Sequence, residues 1–257
     1  GGFTPNFGGN ITDTSLAIGT KGEFKTGFMD GILYDFSGVV GRSESTFQLF
    51  NSVNASLGPD TPTDFEAGRY IQLEKTFSAD FVKYIPAGLY EDLTVAFGTQ
   101  WTEESFEIVA GEQASWEVGP YVGQGLSNGS NGFPGFQPQT AGISSRRNYA
   151  AYVDVEAEFT EQFLGAIALR FEDYDSFGTT TNYKLTGQYR ITDDWALRAS
   201  TSTGFRAPTV GQANVSNVRT EADQGVLVDI GVLPPTNPVA QLKGATELQP
   251  EESTSYA

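Results

Sequence analysis

"AAYVDVEAEF", residues 150–159, decides the fold. Ala151, Val153, Val155, Ala157 and Phe159 share one parity, and Tyr152, Asp154, Glu156 and Glu158 share the other. Successive side chains of a β-strand point to opposite faces, so the stretch reads as a strand with one apolar and one charged face. After the turn "TEQ" the pattern returns at 163–172, where Phe163, Ile167, Leu169 and Phe171 oppose Arg170 and Glu172. It recurs at 183–191, with Tyr183, Leu185, Tyr189 and Ile191 against Lys184, Thr186, Gln188 and Arg190. At 195–206, Trp195, Leu197, Ala199 and Phe205 oppose Arg198, Ser200, Ser202 and Arg206. Weaker versions occupy 16–24, 32–42, 70–84 and 93–104, and Lys75 interrupts the apolar set of 70–84. With a short candidate at 252–257, about nine strands are expected.

Two architectures turn one face apolar and one face charged. A soluble sandwich buries the apolar face. A membrane barrel turns it to lipid and keeps a wet, polar lumen. Strand length near ten residues, repeated full charges on the polar face, and aromatics near strand ends (Tyr84, Trp101, Tyr149, Tyr183, Trp195) favour the barrel. The connections add to this. Those at 25–31, 85–92, 160–162 and 192–194 read as short, and those at 1–14, 51–68, 106–148 and 207–251 as long, with 173–181 of medium length. An up-and-down barrel places alternate connections on the same side, so loop length sorts by parity, short below and long above. The expected class is therefore all-β, an antiparallel transmembrane β-barrel section.

The 257 residues include 19 Phe, 11 Tyr, 3 Trp and 30 Gly, a composition of strands and turns. There is no Cys and no His, which excludes disulfides, thiolate metal sites and a histidine base. The net charge of −17 argues against nucleic acid as a partner. No apolar run is long enough for a transmembrane helix, and "GGFTPNFGGN" is not a signal peptide.

Chemical motifs are sparse. Gly123-Gln124-Gly125 lacks the strand-to-helix setting of a phosphate loop. Glu103-Glu104 and Glu251-Glu252 are strand neighbours that point apart, and Asp193-Asp194 lie in a turn. Asp173 and Asp175 lack the spacing of an EF-hand. The triplets at Asn10, Asn54, Asn128 and Asn214 match chance in Asn/Ser-rich loops. The scarce cations Arg170, Lys184, Arg190, Arg198 and Arg206 all fall on polar faces, where Glu156, Glu158 and Glu172 can pair with them.

One stretch ends the alternation abruptly: "RASTSTGFRAPTVGQ", followed after a long connection by "GATELQPEESTSYA". The pair resembles the TonB-dependent outer-membrane receptors. There, a strand ends in Gly-Phe-Arg-Ala-Pro, here Gly204, Phe205, Arg206, Ala207 and Pro208. The next strand opens on a Leu-x-Pro-Glu-x-Ser run, here Leu248, Pro250, Glu251 and Ser253. "VAFGTQWTEESFEIVAGEQASW", 95–116, and "LRFEDYDSFGTTTNYKLTGQYRITDDWALRAS", 169–200, resemble further strands of the family, with Thr102 where the family carries an arginine.

The resemblance implies a 22-stranded barrel, of which residues 1–257 would be a middle section, with plug domain, signal peptide and closing strands absent. It implies a receptor in the outer membrane of a Gram-negative bacterium that takes up a scarce ligand, most often a ferric siderophore or other iron complex. It implies no catalysis and no resident cofactor. The expected partners are the TonB complex, reached through the missing plug, the small ligand, and outer-membrane lipid and lipopolysaccharide. Ligand contact is expected from Trp116, Phe133 and Phe136 and from the lumen cations Arg146, Arg147, Arg198 and Arg206. Arg206 is expected to point inward at the mouth. The competing readings are a passive porin-like barrel and a soluble all-β carbohydrate-binding domain.

Overall fold

The computed structural model describes residues 3–223 and 226–257; residues 1–2 of the N-terminal stretch and 224–225 of the connection 207–251 lie outside the described residues. Nine strands form one antiparallel sheet. They are β1 (Asn6–Glu23), β2 (Ile32–Phe50), β3 (Phe65–Ile85), β4 (Leu93–Ala110), β5 (Gly142–Thr160), β6 (Phe163–Tyr174), β7 (Gly178–Arg190), β8 (Ala196–Arg206) and, after the last long connection, Glu251–Tyr256. That connection carries its own elements: helix α1 (Val210–Asn214), the hairpin strands β9 (Asn217–Asp223) and β10 (Val226–Val232), and helix α2 (Pro238–Leu242). The final sheet strand is therefore β11, and the order is β1 through β8 and then β11, each strand beside its predecessor. No helix among the described residues is long and apolar enough to cross a membrane, which leaves strands unaddressed.

The register explains the alternation. Val95 faces Val155, Val155 faces Ile167, Ile167 faces Leu185 and Leu185 faces Thr201, so one apolar face runs unbroken from β4 to β8. The β2–β3 ladder pairs even with odd numbers, as in Phe36 with Ala79 and Tyr34 with Phe81. The same face therefore continues through the even set of β1 and β2, where Leu16 opposes Val40. Its own chain leaves this face uncovered: Ile167, Leu169, Leu185 and Leu197 are 44%, 45%, 43% and 65% exposed. An apolar surface of that extent needs a non-aqueous neighbour.

The strands outrun the alternation that identified them. β1 begins at Asn6 rather than 16, β2 runs on to Phe50, and β5 begins at Gly142 within the expected loop 106–148. The medium loop 173–181 is mostly strand, with only 175–177 as its turn. At about 3.3 Å per residue, the 21 residues of β3 extend roughly 70 Å along the strand, well beyond an apolar band about 25 Å tall. Above that band neither face has to be apolar, so the ladder continues without a period-two signature. On one side the connections 24–31, 86–92, 161–162 and 191–195 are all short; on the other 51–64, 111–141 and 207–250 are long, but 175–177 is a tight turn, so the expected sorting holds for all but that one.

The core lies at the long-loop end, on the polar face. Phe106, Ile108, Phe136 and Val210 form one buried cluster, with Phe47, Tyr70 and Phe133 packed against it. Leu49, Phe65 and Ala67 form a second. Phe136 stacks on Tyr70 at 4.7 Å between centroids and meets Phe47 edge-on at 5.7 Å. The connection 111–141 thus folds down onto the sheet by inserting a ring. Gly68 makes room for it: its φ is +115°, and a Cβ there would lie 2.6 Å from the Phe136 ring.

Candidate functional site

The polar face of β3–β6 carries a bonded network. Glu172 accepts from Arg170 Nε at 3.0 Å and from its Nη2 at 2.7 Å. The same Nη2 donates to Gln100 Oε1 at 2.9 Å, and Gln100 Nε2 donates to Ser78 Oγ at 3.5 Å. One step along the strands, Tyr152 Oη donates to Asp80 Oδ1 at 2.7 Å. Its ring crosses Gly98 to get there: a Cβ on Gly98 would sit 2.7 Å from Tyr152 Cε1 and 2.6 Å from Asp80 Oδ1. We expect Gly98→Leu to break the Tyr152–Asp80 bond and to destabilise the sheet by about 1–3 kcal/mol through overpacking and the lost partner. Thermal unfolding beside Tyr152→Phe tests this; a glycine variant no worse than the phenylalanine variant would show that the crossing carries no strain.

Higher on the same face, Arg146 is the hub. Its side chain is 9% exposed. Nε donates to Glu104 Oε2 at 3.1 Å, Nη1 donates to the Pro208 carbonyl, and the guanidinium lies over the Tyr174 ring at 5.1 Å. One cation therefore ties β4 and β5 to the start of the last long connection. There α1 is closed by a capping box between Thr209 and Gln212, and Val210 drops into the Phe106 cluster. Beside this hub a concavity of about 440 Å³ opens, lined by Asp13, Ser43, Gln72, Glu74, Glu104 and Thr209 among others.

Buried polar groups fix the two loops above. Asn54 Nδ2 donates to the carbonyls of Ala114 and Glu117 at 2.9 and 3.0 Å. Ser56 Oγ donates to Asn54 Oδ1 at 2.7 Å and accepts from Gly119 N at 2.8 Å. Ser52 Oγ donates to Asn131 O at 2.7 Å. Asn54 and Ser56 are fully buried. The connections 51–64 and 111–141 are therefore one body, and Asn54 is a structural residue inside it. Among the described residues no group of side chains could hold a metal ion.

The residues singled out from the sequence divide accordingly. Gly204 faces Ser253 and Arg206 faces Glu251 across the β8–β11 ladder, and Ser253 Oγ donates to Gly204 O at 3.3 Å. The two motif halves, separated by a long connection in sequence, are thus paired in register. Ala207 and Pro208 lead from β8 toward α1, and Leu248 and Pro250 lead into β11. Phe136 is fully buried and presents no surface; Phe133 is half-buried against Phe7, Phe47 and Phe136. Trp116 Nε1 donates to Gly111 O at 3.1 Å. Arg198 lies opposite Gln188 and is exposed.

One placement corrects the expectation. Arg147 does not join Arg146: β5 already spans both, so neighbours point apart, and Arg147 pairs with Glu103 at 2.9 Å on the other face, beside Lys75. Arg206 is exposed and makes no ion pair among the described residues. The β7–β8 ladder stops at Ser202, Thr203 Oγ1 accepts from Tyr183 N, and Phe205 packs edge-on to Tyr174 at 5.8 Å. The β8–β11 ladder runs without a register shift from Thr201 to Arg206, so Arg206 keeps the parity of Arg198 and Ser202. Sequence reasoning missed Asp80, Tyr152, Gln100, Asn54 and Ser56, whose partners lie tens of residues away.

Residues 2–257 match the family described as TonB dependent receptor-like, beta-barrel. No curated protein matches the sequence. Among solved structures, the siderophore receptor PirA from Acinetobacter baumannii aligns with a TM-score of 0.60 at 13% identity, over 96% of this chain and 32% of that one. The RagAB peptide transporter aligns with a TM-score of 0.58 at 13% identity, over 98% of this chain and 28% of that one. The chain spans about a third of the length of the solved structures it matches, and at this identity the likeness shows the fold.

Proposed function

The chain belongs to the TonB-dependent receptor β-barrel family, and on that premise we propose that it forms part of the wall of an outer-membrane transporter. The transporter takes up a ferric siderophore or other iron complex with energy delivered by TonB. The observation that carries the reading is the division of the sheet into an uncovered apolar face and an internally bonded polar face beneath a fixed pair of loops. The first suits lipid, the second a wet lumen, and the third an extracellular entrance. The siderophore reading draws support from PirA, a siderophore receptor by name.

The full-length parent, expressed in a strain without other siderophore receptors, is expected to restore growth on chelated iron with at least one ferric siderophore. Deleting TonB should abolish that growth. Growth that survives the deletion would make the barrel passive, and growth restored by peptides alone would replace the ligand class with that named for RagAB. Topology has its own check. Cysteines at Val155, Leu169, Leu185 and Leu197 are expected to react with a membrane-confined reagent, and those at Asp154, Arg170, Gln188 and Arg198 to be spared. A tag at Asp193 should be unreadable from outside intact cells.

A further inference from the structure

The stretch "SNGSNG", 127–132, carries one dipeptide twice, as Asn128-Gly129 and Asn131-Gly132. In such a pair the backbone nitrogen of the glycine can attack the asparagine carboxamide, because glycine has no side chain to shield that nitrogen. The nitrogen must first lose its proton, and the carboxamide must be free to approach it. The two pairs share their preceding serine, so the sequence hardly separates them. Their surroundings do.

At the second pair, Ser52 Oγ donates to Asn131 O at 2.7 Å, and Asn131 N donates to Val53 O at 2.9 Å. Ser52 is 1% exposed, so its hydroxyl reaches that carbonyl with little competition from water. The carbonyl belongs to the same peptide group as Gly132 N. As the nitrogen loses its proton, charge spreads through the conjugated group onto this oxygen, where a donor already in place stabilises it. Asn131 and Gly132 are both exposed, and the Asn131 carboxamide and Gly132 N have no hydrogen-bond partner among the described residues. The first pair differs on both counts. Asn128 O has no donor among the described residues, and Gly129 is buried, packed so that a Cβ would lie 3.1 Å from Pro134 Cβ and 3.3 Å from Ser115 O.

We propose that Asn131 is a self-modifying site, at which Gly132 N attacks Asn131 Cγ with the Ser52 hydroxyl as the activating donor. The N–Cγ bond forms as the Gly132 proton passes to water. The Cγ–Nδ2 bond breaks, and Nδ2 takes a proton from water and leaves as ammonia. Water then opens the five-membered imide at one of its two carbonyls, which gives aspartate or isoaspartate. No oxidant or cofactor enters. In the isoaspartate product one extra carbon separates the residue's nitrogen from the following carbonyl. Val53 O and Ser52 Oγ can then no longer both be reached, so the modification loosens the joint between connections 51–64 and 111–141.

The test uses the full-length parent in lipid nanodiscs, held in mildly alkaline buffer and sampled over days by peptide mapping. Conversion is read as the gain of one mass unit at each asparagine, with isoaspartate told apart by fragmentation. In the folded parent, Asn131 is expected to convert at least threefold faster than Asn128; after unfolding in urea the two rates should be similar. Ser52→Ala should slow Asn131 at least threefold and leave Asn128 as it was, and Ser52→Thr, which keeps the hydroxyl, should recover the rate. Both variants are read only if the Ser56 and Tyr121 amides keep their exchange protection; otherwise the comparison of folded with unfolded parent decides alone. Equal rates at the two asparagines in the folded parent, an Asn131 that stays intact, or an Asn131 rate unchanged or raised by Ser52→Ala would overturn the proposal. None of these outcomes depends on iron uptake, so the transport reading would stand or fall separately.

Discussion

Gly119→Ala is expected to unlatch the two long connections 51–64 and 111–141. A Cβ at this position would lie 2.2 Å from Ser56 O and 2.4 Å from Ser56 C, and both are backbone atoms that no rotamer change can move aside. Either the 119 segment or the 56 segment must retreat. The retreat breaks the bond from Gly119 N to Ser56 Oγ and, with it, the chain through Asn54 to the carbonyls of Ala114 and Glu117. Each buried group left without a partner costs about 1–3 kcal/mol, so a local loss above roughly 3 kcal/mol is expected. Hydrogen exchange reads it directly. Amides at Ser56, Tyr121 and Asn131, each bonded across the two connections, should lose protection while those in β6 and β7 keep theirs. Unchanged protection at these three would mean that the loops are held by the aromatic cluster alone.

Arg146→Met should be the most damaging single change on the polar face. The substitution keeps most of the side-chain bulk but removes the charge. Glu104 then loses its cation, the Pro208 carbonyl loses its donor, and the Tyr174 ring loses the guanidinium above it. Breaking a largely buried pair by removing one partner costs about 3–5 kcal/mol; Glu104 keeps some solvent, so about 2–4 kcal/mol is expected here. The temperature at which the full-length parent loses its compact, heat-modifiable gel mobility should fall accordingly. Arg206→Ala is the control and should leave that temperature in place, because Arg206 is exposed and without an ion pair among the described residues. Equal shifts for the two variants would give Arg206 a structural role as well.

The contrast between these two arginines shows where the sequence was legible. Alternation in 150–205 identified the strands, their order and which face is apolar, because one face of each must suit an apolar medium. It did not show that the β7–β8 ladder stops at Ser202, where Tyr183 N donates to Thr203 Oγ1 instead of continuing the backbone pairing. It also missed that "GISSRRNYA" is strand: polar on both parities, the stretch lies above the apolar band and needs no pattern to pair with β4. Lys75 marks the same boundary. It breaks the apolar set one step past Phe77, and there it meets Glu103, which Arg147 also binds. Phe133 and Phe136 read as loop aromatics available to a ligand. Their partners Phe47 and Tyr70 are strand residues far upstream, and no local pattern announces such packing.

The single body made by the two loops also bears on immune recognition and on binder selection. Its outer surface joins segments that lie some sixty residues apart in the chain, as Asn54 to Ala114 and Glu117 do, and its shape depends on buried serines and asparagines that a short synthetic peptide cannot bury. Antibodies raised against linear peptides from 51–64 or 111–141 would meet a shape that the folded surface does not present. Those selected on the intact receptor would read a discontinuous epitope, and they would lose it together with Gly119.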